Sequence, residues 1–193
     1  RVTTSNKEIK SAADYNGLRI RVPNIDYCVW EFEALKSSII AMNFAELFTA
    51  LEQGSVDAQE NPYSAIEANS LYEVQKYLFD SKHMFTAHFW YVNEAWWQAL
   101  TEEQRTMVQE CVDEACEYGW DLAISEDISP LSLEAMRRML IMKDSEINRV
   151  VLPEKQRAEL KQIVSDYVWP KFFEVYEGSE EYINMIQAAL EAR

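Results

Sequence analysis

The stretch Leu18-Arg19-Ile20-Arg21-Val22-Pro23-Asn24 alternates apolar and charged residues for one short strand. Pro23 has no N–H to give to a ladder, so it stops the strand and starts a loop. An arginine at the end of a strand, beside a proline turn, stands where α/β sheets bind ligands, in the crevice beyond the carboxyl ends of the strands. Arg21 offers a planar fork of five donors suited to a carboxylate or phosphate. A surface ion pair accounts for the same residue at least as well, so the reading depends on what flanks it.

Downstream, Tyr27, Trp30, Phe32 and Leu35 predict a helix over 26–36, and the apolar run Ser38–Met42 predicts a buried strand. Asn43 reads as an N-cap with Glu46 three residues on, a capping box. Phe44, Leu47, Phe48 and Leu51 follow at i, i+3, i+4 and i+7, and Gly54 closes that helix. Val56–Glu60 predicts a third strand ending in Asn61-Pro62, an asparagine cap before a helix running to about Val74. Strand, helix, strand, helix, strand, helix with short connections argues for an α/β layer with a largely parallel sheet. Upstream, residues 1–17 carry turn chemistry and read as a loop or edge strand. Residues 76–93 are aromatic and β-branched and predict one or two longer strands. Thr101 and Gln104 form a second capping box before a long helix, expected to kink near Pro130 and to reach about Leu140. Asn148–Leu152 reads as one more strand, and Pro153 opens the last helices, with breaks at Pro170 and at Gly178-Ser179.

At 193 residues the chain is long enough to bury a real core, and 48% hydrophobic with 26% charged residues is ordinary for a globular protein. A net charge of −15 argues against a nucleic-acid partner, because the backbone term of such binding needs a basic surface. No apolar run approaches the ~18 residues of a membrane span. Cys28, Cys111 and Cys116 have no metal-ligand spacing; the last two lie roughly 140° apart round a helix, so three buried free thiols are expected. The two histidines, His83 and His88, fall in the aromatic region and read as structural. Four glycines are too few for phosphate-cradling loops, and no Ser-His-Asp or HExxH arrangement is present. No catalytic residue, metal ligand or cofactor is therefore expected. Polar residues instead follow successive strands: Arg21 and Asn24, then Asn43 and Phe44, then Glu60 and Asn61. If those strands are parallel neighbours, the ends converge on one rim able to hold a small anion. Helix capping by Asn43 and Asn61, and a core role for Phe44, remain open beside that reading.

Gly17–Asn24, Met42-Asn-Phe44-Ala-Glu46-Leu-Phe-Thr-Ala-Leu51, Val56-Asp-Ala-Gln-Glu60-Asn61-Pro62 and Tyr72–Leu78 with His83 together resemble the DctP-type substrate-binding proteins of TRAP transporters. The interval from Arg21 to Asn61 (61 − 21 = 40) also fits that family. The resemblance runs from Arg1 to about residue 170. It implies a periplasmic, two-lobed α/β fold with long helices that captures a small organic acid and delivers it to the membrane subunits of a TRAP transporter, without enzymatic activity. By the same resemblance Arg21 clamps the ligand carboxylate, Asn61 and Arg1 contact ligand, and Asn24 and Phe44 are wall residues. A sugar acid or sialic-acid-like ligand is the first expectation, a C4-dicarboxylate the next. The alternatives are an enzyme acting on a small carboxylic acid and a ligand-independent interaction module.

Two departures stand out. Ala58 replaces the glycine usual in the family's Asp-Gly-Gln-Glu-Asn-Pro motif, and Lys36–Ile40 lacks the usual Gly and Pro. The resemblance further implies that 1–86 with 127–193 form the second lobe, while 87–126 belong to a first lobe that is incomplete here. His88–Val92 is then a strand without partners, so self-association or completion by a separate fragment is expected.

Overall fold

The computed structural model describes residues 1–81, 83, 84, 89–124 and 147–191. They fall into two compact units, Arg1–Met84 with Glu146–Arg193, and Phe85–Ser145.

The first unit is built on a six-stranded sheet in the order β3-β2-β4-β1-β5-β6. The strands are β1 Val2–Ser5, β2 Arg19–Val22, β3 Ser38–Ala41, β4 Ala58–Asn61, β5 Tyr77–Phe79 and β6 Asn148–Val150. β2 pairs in parallel with β3 (Arg21↔Ile40) on one side and with β4 (Ile20↔Ala58) on the other. β1 runs against both β4 (Val2↔Asn61) and β5 (Thr3↔Phe79), and β6 is parallel to β5. The helices are α1 Asp26–Ala34, α2 Leu47–Glu52, α3 Tyr63–Ala68, α6 Glu154–Val175 and α7 Ser179–Glu191; α4 and α5 belong to the second unit.

From β2 the chain steps outward through α1 to β3, then returns past β2 through α2 to β4. Right-handed crossovers place α1 and α2 on opposite faces of the sheet. β2 and β4 are thus neighbours whose following helices leave to opposite sides, a topological switch point. Alternation fills the α1 face with Ile20, Val22, Ala58 and Phe79, which join Phe32 and Cys28 of α1, Tyr15 and Leu152 in one buried cluster. Burying each large apolar side chain there contributes about 1.5–3 kcal/mol.

Several expectations change. Residues 2–5 are no edge: β1 is central and wholly buried. Its polar side chains are satisfied there, Thr3 Oγ1 with Tyr15 Oη at 3.0 Å and Thr4 Oγ1 accepting from Gln59 Nε2 at 2.8 Å. β3, expected to be buried, is the exposed edge strand. Neither asparagine caps by its side chain. Asn43 precedes a short 3₁₀ turn without a side-chain bond, and the helix proper starts at Leu47; Asn61 ends β4, with Pro62 as the N-cap of α3. That third helix stops at Ala68, where Ser70 turns left-handed (φ 51°). Gly54 closes α2 with φ 67°, as expected of glycine. α6 runs through Pro170 rather than breaking there, while Gly178 (φ 81°) separates α6 from α7. Cys28 is buried, but Cys111 and Cys116 are exposed; all three are free.

The second unit holds α4 Glu94–Ala99 and α5 Glu102–Ile124. The capping box is present: Thr101 N–H donates to Gln104 Oε1 at 2.9 Å and Gln104 N–H to Thr101 Oγ1 at 3.2 Å. Phe89–Val92 is exposed and not a strand, so the long strands expected over 76–93 reduce, among the described residues, to β5. The expectations for His88, the Pro130 kink and the helix end near Leu140 lie outside the described residues.

Candidate functional site

The carboxyl ends of β2 and β4 and the start of the antiparallel β1 meet at the switch point. Thr3 stands opposite Glu60 and Val2 opposite Asn61, which sets Arg1 beside the end of β4. Arg1 Nη2 donates to Glu60 Oε1 at 2.9 Å and to Asn61 Oδ1 at 3.1 Å, and Arg1 Nε bonds Glu60 Oε2. Glu60 is fully buried. On its other side His83 Nε2 lies 3.4 Å from Glu60 Oε2, and His83 Nδ1 lies 2.5 Å from Ser81 Oγ. Burial pushes the Glu60 carboxyl up, but the hydrogen bonds from His83 and Arg1 outweigh it and hold it below the usual carboxylate range.

Arg21 lies on the other face of β2 and is buried, 3% exposed. Its Nε and Nη2 both donate to the Met42 carbonyl, at 3.1 and 2.8 Å, and its guanidinium carbon lies 5.6 Å from the centroid of the Phe44 ring. The guanidinium thus lies over the face of an aromatic ring, a cation–π arrangement. Of its five N–H bonds, two are spent on the carbonyl, leaving three (5 − 2 = 3). Among the described residues no carboxylate comes within ion-pair distance of Arg21, although Arg1, Arg19 and Arg149 each have one. Burial lowers its pKa and the field of Glu60 opposes that.

Asn61 also donates from Nδ2 to Gln59 Oε1 at 2.6 Å. It therefore links the Arg1–Glu60 pair to the buried Thr4–Gln59 ladder. Asn24 sits in the loop after β2 and is exposed. The structure thus joins Arg1, Glu60 and Asn61 by direct bonds and Arg21 to Phe44 by a cation–π contact, with Asn24 in the loop that follows the strand of Arg21. Among the described residues no group of His, Cys, Asp and Glu could hold a metal ion, and no helix is long and apolar enough to cross a membrane.

Residues 1–175 match the sequence model of DctP, described as bacterial extracellular solute-binding protein, family 7. The chain belongs to this family.

The likeness to individual DctP-type proteins is moderate. A sialic acid-binding periplasmic protein, SiaP, of Vibrio cholerae is 35% identical over 58% of this chain and 35% of its own length. The 2,3-diketo-L-gulonate-binding periplasmic protein YiaO of Escherichia coli is 32% identical over 65% of this chain and 38% of its own. A TRAP periplasmic solute-binding protein from Haemophilus influenzae, solved with bound L-gulonate, superposes at TM-score 0.82 with 28% identity, covering 97% of this chain and 59% of that one. The periplasmic ectoine-binding protein of the Halomonas elongata TeaABC TRAP transporter gives TM-score 0.84 at 25% identity, covering all of this chain and 61% of that one. The chain thus spans less than two thirds of these relatives.

In this DctP-family chain, motif reading gave too little weight to Gln59 and His83. Gln59 lies two residues before Asn61 and hence on its face of the strand, a signal that was present. Nothing local marks His83 as the partner of Glu60, because 23 residues separate them.

Proposed function

We propose that this chain is the carboxylate-holding part of a periplasmic solute-binding protein that captures a small organic acid and passes it to the membrane subunits of a TRAP transporter. Arg21 is the clamp. The observation that carries this reading is a buried guanidinium over the Phe44 ring, anchored by a carbonyl, and without a carboxylate partner among the described residues. An uncompensated buried charge is costly, and a ligand carboxylate docking on the free edge relieves that cost. The three N–H donors not used by the Met42 carbonyl are available for a bidentate pair, which cleft closure strengthens by removing water. Arg1, held by Glu60, and Asn61, held by Arg1 and Gln59, bind a second polar group in this reading, with Asn24 and Phe44 as walls. Binding needs no nucleophile, so the role is capture rather than catalysis. The relatives named for sialic acid and diketogulonate support an acidic, hydroxylated ligand, with a C4-dicarboxylate next.

Under this reading residues 1–86 with 127–193 are the second lobe and 87–126 part of the first. Exposed Phe89, Trp90 and Tyr91 support self-association through the latter; sedimentation as a stable monomer contradicts it. The functional test is a thermal-shift screen with sialic acid, L-gulonate and succinate, each beside its neutral amide. A ligand at 100 times its Kd adds about 2.7 kcal/mol. The acids should stabilise the protein, the amides should not, and Arg21→Ala should abolish the shift. Equal shifts in parent and Arg21→Ala exclude the clamp.

A further inference from the structure

A cavity of about 710 Å³ lies between α1 and α6 within the first unit; Ser81 and His83, which reach Glu60, line one end of it, and Arg21 does not. Its volume is that of a small-molecule site, and like such sites it has apolar walls and a few converging polar groups. Phe32, Leu160, Val164 and Trp169 supply the walls. Glu31 of α1 supplies the innermost charge. It is only 6% exposed, yet it accepts no hydrogen bond from any described residue. Burial raises its pKa, and the field of His83 compensates only in part. A helix packed to bury Phe32 and Cys28 had no packing need for a carboxylate at Glu31, so an acid kept there at a desolvation cost points to a cationic guest. On the other wall α6 presents Arg157 and Lys161, with Glu154 one turn earlier.

We propose that this cavity is a second ligand site for a zwitterionic small molecule with an apolar body, such as an amino acid with a large apolar side chain. The protonated amine pairs with Glu31, the carboxylate faces Arg157 and Lys161, and the side chain lies against Phe32 and Trp169. Both charges of the guest are then met by opposite charges of the lining, and its apolar part replaces water against apolar walls. Arg21 is not among the lining residues, although His83, which lines the cavity, is bonded to Glu60 of the site described above.

Isothermal titration of the full chain with L-phenylalanine, L-tryptophan and L-leucine tests this, with phenethylamine and 3-phenylpropionate as probes lacking one charge each. At least one amino acid should bind saturably, and each single-charge probe should bind about tenfold more weakly or worse, the loss of one charge-assisted contact. Glu31→Gln should weaken the amino acid by a similar factor while leaving phenylpropionate unchanged. That variant removes a charge that burial disfavours, so it should fold at least as well as the parent, which its thermal melt verifies. Arg21→Ala should leave the titration unchanged. The proposal is overturned if no amino acid binds, if either single-charge probe binds as tightly, if Glu31→Gln has no effect, or if Arg21→Ala abolishes the heat, which would place the probe at the sheet edge.

Discussion

Two arginines on one strand, two residues apart, have opposite surroundings. At the start of β2, Arg19 meets Asp57 through two bonds, Nε to Oδ2 at 3.0 Å and Nη2 to Oδ1 at 2.7 Å, and Lys7 Nζ adds a third at 2.8 Å. There the arginine and lysine side chains are largely exposed and the charges are balanced by the chain itself. At the other end Arg21 is buried and, among the described residues, meets only a carbonyl and an aromatic ring. Period two puts both side chains on the same face, so residue type cannot separate their roles; burial and partners do. Arg19 makes a closed ion pair, a structural tie, whereas Arg21 keeps three N–H donors beyond its bonds to the Met42 carbonyl.

The largest expected effect lies beside the proposed clamp rather than in it. Glu60 has no exposed side-chain surface and Arg1 little, so Glu60→Gln breaks a buried pair and should cost about 3–5 kcal/mol of unfolding free energy in urea titrations. A cost near zero would mean that Arg1 is not oriented by Glu60. Next comes Arg21→Met in the absence of ligand. It removes a buried charge without a carboxylate partner among the described residues, so the variant should be no less stable than the parent by thermal melting, and a marked loss would show that Arg21 is a structural tie like Arg19.

Asp57 gives a smaller, pH-dependent effect. Its hydrogen bond from Arg19, opposed by burial and aided by Lys7, holds its carboxyl well below the ordinary 3.8. The folded pKa is depressed, so this stability is fully present above about pH 4 and is lost as pH falls through the folded value. Parent and Asp57→Asn should therefore differ at pH 6 and converge on acidification; a gap constant with pH removes the ion pair as its cause. The smallest effect is Arg19→Ala, a slight loss of thermal stability with no change in organic-acid binding.

Much of the sheet edge could be read from the sequence because β2 is an alternating strand ended by a proline, and β3 and β4 follow with short connections. β1 escaped because Thr3, Thr4 and Ser5 resemble a loop; they are buried only because Tyr15 and Gln59, far along the chain, satisfy them. Asn61 reads as a cap because it precedes a helix, but its pairing with Val2 claims it for β4, while Asn43 stands before a 3₁₀ turn without giving it a side-chain bond. Phe89–Val92 has strand composition, yet β-propensity reflects what a strand packs against, and these residues stand exposed. Arg21 and Asn61 were legible as strand-end polar groups. The Glu60–His83 contact and the cavity beside Glu31 depend on tertiary packing and leave no local pattern.

The clamp is tested most directly by calorimetric titration of parent, Arg19→Ala and Arg21→Ala with the acid that gives the largest thermal shift. If Arg21 holds the carboxylate, parent and Arg19→Ala bind with the same affinity, and Arg21→Ala loses binding by a factor of about a hundred or more, the scale of a bidentate charge-assisted pair. If Arg21→Ala binds as the parent does, or if Arg19→Ala is the variant that fails, the anion is held elsewhere and the contrast between the two ends of β2 has no functional meaning.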